Sequence, residues 1–112
     1  MGDVPGLFEQ AVLLAVARLR ADAYGRAVVD EVATRLGRDV AVGAVHATLV
    51  RLERKGLLAS ALAPGTERRA GRPRRYYTLT PGGRRALSDA RDAHARLWRG
   101  IRVLRVPRAE WA

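Results

Sequence analysis

Five arginines, Arg68, Arg69, Arg72, Arg74 and Arg75, fall within eight residues that contain no acid. So dense a cluster repels itself unless counter-charge arrives, and nucleic-acid phosphate supplies it; the plainer reading is a solvated basic turn. A second group of residues with chemistry to offer lies upstream. Val42, Val45, Leu49 and Leu52 recur at steps of three and four, one apolar stripe of a helix turned inward. That stripe leaves Gly43, Ala44, Ala47, Arg51 and Arg54 outward, flanked by His46 and Thr48. Glycine and alanine permit close approach to a DNA groove, and only His46, Thr48, Arg51 and Arg54 can hydrogen-bond there. At about 1–3 kcal/mol of discrimination per bidentate base contact, direct readout by this helix is modest. Arg51 is read either as a DNA contact or as the partner of a nearby acid. His46 donates to a phosphate or base edge, or packs on the sheet.

Composition narrows the choices. Lys and Arg total 21 against 11 Asp and Glu, a formal charge of +10 carried almost wholly by arginine, whose planar fork suits phosphates and guanine edges. There is no cysteine, which excludes disulfides and thiolate metal sites and suits a reducing cytosol. Two histidines on helical segments provide no nucleophile and base pair, no metal spacing and no phosphate-loop motif, so neither an enzyme nor a cofactor is expected. The apolar run Ala11 to Ala17 is too short for a membrane span, and Asp3 and Glu9 stand where a signal peptide carries positive charge. A cytoplasmic protein follows. Because the arginines cluster in a loop rather than along an amphipathic helix, a membrane surface is a poor partner.

The elements that must position these residues make one mainly α domain with a small β-hairpin. Residues 1–6 read as a loose arm. Leu7 to Arg20 is a helix with apolar side chains nearly all round, and so in need of burial on more than one side. Asp22 is placed as the cap of a second helix, Ala23 to Leu36, closed by Gly37. The third helix spans Val42 to Lys55, and strands follow at Leu57 to Leu62 and Arg75 to Leu79, joined by the arginine loop. Three helices and a hairpin, over residues 7–79, are the winged helix-turn-helix order. Thr80 with Pro81 starts a last helix over residues 80–106, stopped by Pro107, with 107–112 as a tail. Its residues Leu87, Ala90, His94, Leu97, Ile101 and Leu104 repeat as a coiled-coil seam, with Trp98 alongside. At 1.5 Å per residue this rod would run roughly 40 Å, beyond what its own domain can cover. An over-apolar first helix, offering Phe8, Val12 and Ala15, and this seam can cover one another in a homodimer.

In this order and spacing, four stretches resemble the PadR family of bacterial transcriptional regulators: Asp22-Ala-Tyr-Gly25, Gly43-Ala-Val-His46 with Leu49 and Arg51-Leu-Glu53, Gly56-Leu-Leu58, and Gly71-Arg-Pro-Arg-Arg-Tyr-Tyr-Thr-Leu-Thr80. The likeness covers about Leu7 to Leu104, and the single last helix is similar to the short subfamily. It implies a homodimeric repressor on double-stranded DNA with an inverted-repeat operator, released by a small aromatic or apolar effector, with Tyr24 among the DNA-facing residues. This chain has His46 where the family usually has tyrosine, Ala41 where it has a Ser or Asn cap, and His94 where tryptophan is frequent. The lost cap costs about 1 kcal/mol unless Asp39 substitutes. Gly71-Arg72-Pro73 also resembles an AT-hook core, which assigns Arg72 to a narrow minor groove and the other loop arginines to phosphates. His94 is either a member of an effector pocket or a hydrogen-bonded seam histidine. The competing function is a winged-helix protein that binds RNA or DNA architecturally, without sequence preference.

Overall fold

The computed structural model describes residues 4–66 and 70–101. Its elements are α1 (Leu7–Leu19), a 3₁₀ turn (Arg20–Asp22), α2 (Gly25–Leu36), α3 (Val42–Arg54), β1 (Leu58–Ala63), β2 (Arg74–Leu79) and α4 (Pro81–Trp98). Three helices and an antiparallel hairpin in winged-helix order, with a long final helix, are the mainly α architecture that the periodicities predict. Among the described residues no helix is long and apolar enough to cross a membrane.

The all-round apolarity of α1 is resolved within one chain. Val12, Leu13, Ala15 and Val16 are buried among Val28, Val32, Val45, Leu49, Leu52, Leu58 and Tyr77, because α2, α3, β2 and α4 all pack on this helix. Val12 and Ala15, expected at a contact between copies, are therefore core residues at 0% and 1% exposure, a correction. The large apolar side chains that α1 leaves outside are Leu7 and Leu14, and Phe8 is half-buried against the core. At the arm, Pro5 is buried, and its carbonyl accepts a hydrogen bond from Gln10 Nε2 at 2.7 Å, so the chain is pinned from that point.

Helix α2 starts two residues later than Ala23, and Asp22 is not its cap. Ala23 and Tyr24 are used instead as a third edge of the sheet. The Ala23 carbonyl accepts from the Tyr77 N–H at 2.8 Å, and Tyr24 bridges Tyr76. A residue engaged in sheet pairing has extended backbone, so the helix can begin only after it. Strand β1 is likewise displaced by one residue, since Leu57 N–H closes α3 by bonding the Leu52 carbonyl. The register then runs from Leu58↔Leu79 to Ala63↔Arg74.

The junction from the sheet to α4 is built on Thr80. Its Oγ1 accepts from Gly83 N–H at 3.0 Å and donates to the Gly56 carbonyl at 2.7 Å, while its N–H reaches the Leu57 carbonyl. Gly83 is buried there. A β-carbon on it would overlap the Leu57 carbonyl oxygen and lie 2.8 Å from Leu79 Cδ1. Helix α4 ends at Trp98, well short of Pro107. Arg99 (φ −61°, ψ 131°) and Gly100 (φ +79°) form a type II turn closed by Ile101 N–H to the Trp98 carbonyl, and glycine takes the position that demands positive φ. The helix is thus about 27 Å long rather than 40 Å. Ile101 is off the helix, and Leu104 lies outside the described residues.

One polar cluster sets the third helix against the first. Glu9, on α1, accepts from Arg51 Nε at 3.0 Å and from Lys55 Nζ at 3.2 Å, and its carboxylate side chain is only 14% exposed. Burial pushes this carboxyl up, but the hydrogen bonds and charges of Arg51 and Lys55 outweigh it, so its pKa is lowered. Since both cations are about half exposed, the cluster is worth about 1 kcal/mol.

Two outcomes follow. Gly83→Ala should destabilise by about 1–3 kcal/mol in thermal melts, whereas Gly82→Ala, with its nearest contact 3.3 Å away, should cost less. Glu9 ionises more readily folded than unfolded, so its contribution is present above the unfolded carboxylate pKa of about 4.3 and lost as pH falls through the folded value. The stability gap between wild type and Glu9→Gln in denaturant titrations should be full at neutral pH and close in acid.

Candidate nucleic-acid interface

Helix α3 buries Val45, Thr48, Leu49 and Leu52. At 100° per residue the opposite face carries Gly43, Ala47, Val50 and Arg54 in line, with His46 on one flank and Arg51 and Ala44 on the other; all seven are exposed. Thr48 requires a correction: read as flanking the outward face, it is 2% exposed, and its hydroxyl donates to the Ala44 carbonyl at 2.8 Å. Val42 also differs, being 56% exposed at the helix start instead of inward. The N-cap Ala41 makes no side-chain hydrogen bond, and Asp39 does not replace it. Val50 is the residue that sequence reasoning missed. Its signal was available, since it falls three residues after Ala47 and off the buried stripe.

The cations of this helix are unequal. Arg51 adopts the ion-paired alternative, with Glu9 as the acid, and its Nη2 also reaches Thr48 Oγ1 at 3.3 Å. Arg54 forms no ion pair with any described residue and lies in the middle of the outward face. His46 is exposed and lines a small cleft with Gly25, Arg26, Val29 and Val42, so it packs toward α2 and not on the sheet.

The hairpin presents its arginines differently along its length. The Arg74 guanidinium carbon sits 3.7 Å from the centre of the Tyr24 ring, a cation–π contact. Tyr24 meets Tyr76 edge to face at 5.8 Å. Arg75 Nη1 donates to Ser60 Oγ, which donates in turn to Glu53 Oε2, so this arginine is tied back to the end of α3. Arg72 is exposed in the loop, and Arg68 and Arg69 lie outside the described residues. The base of the loop is narrow. A β-carbon on Gly65 would overlap the Gly71 carbonyl, and Gly71 N–H bonds the Thr66 carbonyl at 2.8 Å. Ala70 (φ 52°) and Gly71 (φ 75°) turn the chain back.

On the far side, a cleft of about 700 Å³ runs between α1 and α4, lined by Leu7, Gln10, Leu14, Leu87, Ala90 and His94 among others. Ala90 is buried already within the chain, Leu87 is half-buried, and Leu97, Trp98 and Ile101 are 78%, 49% and 62% exposed. Trp98 Nε1–H donates to His94 Nε2 at 3.0 Å, one helical turn away, so this histidine follows the hydrogen-bonded alternative with a partner on its own helix.

Comparison with known proteins agrees with this arrangement. The sequence profile of the transcriptional regulator PadR-like family matches residues 13–89. A transcriptional regulator of Mycobacterium tuberculosis, Rv3488, is 43% identical over 70 residues, which are 61% of this chain and 60% of that protein, so the match spans less than two thirds of the relative. A PadR family transcriptional regulator from Eggerthella lenta is similar in structure, with a TM-score of 0.64 and 32% identity over 80% of this chain and 76% of that one. A PadR-like transcription factor from Bacteroides fragilis gives a TM-score of 0.70 and 25% identity over 82% and 84%. With its profile match extending from the middle of α1 into α4, and with helices, hairpin and long last helix in the family's order, this chain belongs to the PadR-like family of transcriptional regulators.

Proposed function

We propose that the chain is a sequence-specific DNA-binding repressor of the cytoplasm, working as a homodimer on an inverted-repeat operator and released by a small aromatic or apolar molecule. The observation that carries the reading is an exposed α3 face centred on Arg54, beside an arginine-bearing hairpin, in a chain of net charge +10. In this reading α3 enters the major groove with Gly43, Ala44, His46, Ala47 and Arg54 toward the bases. Arg72 enters the adjacent minor groove, while Arg68, Arg69 and Arg74, with Tyr24 bracing Arg74, meet phosphates. Arg51 reaches a phosphate by giving up the Glu9 carboxylate, and Arg75 by giving up the Ser60 hydroxyl, which Glu53 holds in place.

The apolar exposure of Leu7, Leu14, Leu97, Trp98 and Ile101 supports a second copy seated along α1 and α4, with Leu87, Ala90 and His94 at its margin. Two α3 helices must then meet half-sites about 34–36 Å apart. The cleft between α1 and α4, lined by leucines but also by Gln10, Arg84 and Arg91, offers a partly apolar seat for the effector, and a differential affinity of about 1–3 kcal/mol between the two dimer shapes shifts their balance about 5–150-fold.

Selection of bound fragments from random DNA by the purified chain should return a palindrome, bound about 10³-fold or more above random sequence, by a species with the mass of two chains. Equal affinity for all sequences would favour an architectural or RNA-binding role, and a single-chain mass on DNA would remove the dimer. On the selected site, Arg54→Ala should weaken binding more than Arg51→Ala, since only Arg51 must break an internal ion pair to reach DNA; the reverse order in a binding titration contradicts the proposed docking.

A further inference from the structure

We infer that Val50 is a specificity-determining residue that recognises the C5-methyl group of thymine in the major groove. The inference rests on the reading of α3 as the groove-facing helix. With Thr48 buried and Arg51 paired to Glu9, the hydrogen-bonding groups left on the outward face are His46 and Arg54. Between them, along the line Gly43, Ala47, Val50, Arg54, the protruding side chain is Val50, a branched hydrocarbon 39% exposed. It has no polar atom with which to read a base edge. In the major groove, thymine alone among the four bases offers a methyl group, and an exposed valine one turn before Arg54 is its complement. The Arg54 guanidinium on this face, in a chain of net charge +10, argues for a polyanion as its occupant rather than an apolar protein surface. Arg54 follows Val50 by one turn, so a guanidinium suited to guanine O6 and N7 stands next to the methyl-reading position. A thymine near a guanine in each half-site is the expected pattern.

The test uses the full chain and the site selected above. Thymines are replaced one at a time by deoxyuridine, which deletes only the methyl and leaves the pairing intact. One position per half-site should lose about fourfold in affinity, the effect of about 0.8 kcal/mol for one buried methyl-sized group at 1.4 kcal/mol per decade. In Val50→Ala, whose side chain is two carbons shorter, the preference for thymine over uracil should fall. Val50→Thr, which keeps the shape but puts a hydroxyl in place of one methyl, should reduce the preference as well and guards against loss of fold in the first variant. If uracil is silent at every position while the site is still bound selectively, the inference fails and the DNA reading stands. A uracil penalty that persists undiminished in both variants removes Val50 as the reader. Failure to select any site overturns both.

Discussion

Everything in this fold depends on the burial of α1. It contributes Val12, Leu13, Ala15 and Val16 to a core shared with α2, α3, β1 and β2, and α4 packs on it as well. Hydrophobic burial of that kind is non-directional and fixes proximity, not angle. The angle comes from polar contacts at its edges. Glu9 holds the end of α3, Gln10 holds Pro5, and Thr80 joins the exits of α3 and β2 to the start of α4. The candidate DNA-facing helix is therefore oriented by charge and suspended on apolar contacts. The same carboxylate that orients α3 takes Arg51 out of the freely available cations.

The fold was largely legible because its signals are local. The stripe Val45, Leu49, Leu52 set the third helix, Gly37 ended the second, and the Thr80-Pro81 pair marked the last. Two of the departures share a physical origin, a partner distant in sequence that claims the residue. Nothing local keeps Ala23 and Tyr24 out of a helix, but Tyr76 and Tyr77 draw them into the sheet. Val12 and Ala15 fit a contact between copies as well as a core by periodicity alone, which cannot tell which surface covers an apolar face. The last helix departs for a local reason: its seven-residue apolar repeat continues through Gly100, while the backbone turns there at φ +79°.

The candidate site was less legible than the fold. Its residue types were visible, and so was the loop in which the arginines gather. Their availability was not, since it depends on tertiary pairing: Arg51 with Glu9, 42 residues away, Arg75 with Ser60, and Arg74 over Tyr24. Thr48 and Val50 exchange roles for a simpler reason. A helix of 3.6 residues per turn carries Thr48 to the edge of the buried stripe, where its hydroxyl can be satisfied by the Ala44 carbonyl, and turns Val50 outward.

The pinched base of the hairpin loop has a structural consequence. Pairing stops at Ala63↔Arg74, and the backbone closes again where Gly65 abuts Gly71, so the strands feel the geometry of that neck and little of what lies beyond it. A change of charge beyond the neck would leave the strand register and the core beneath it in place, provided that the glycines of the neck stay.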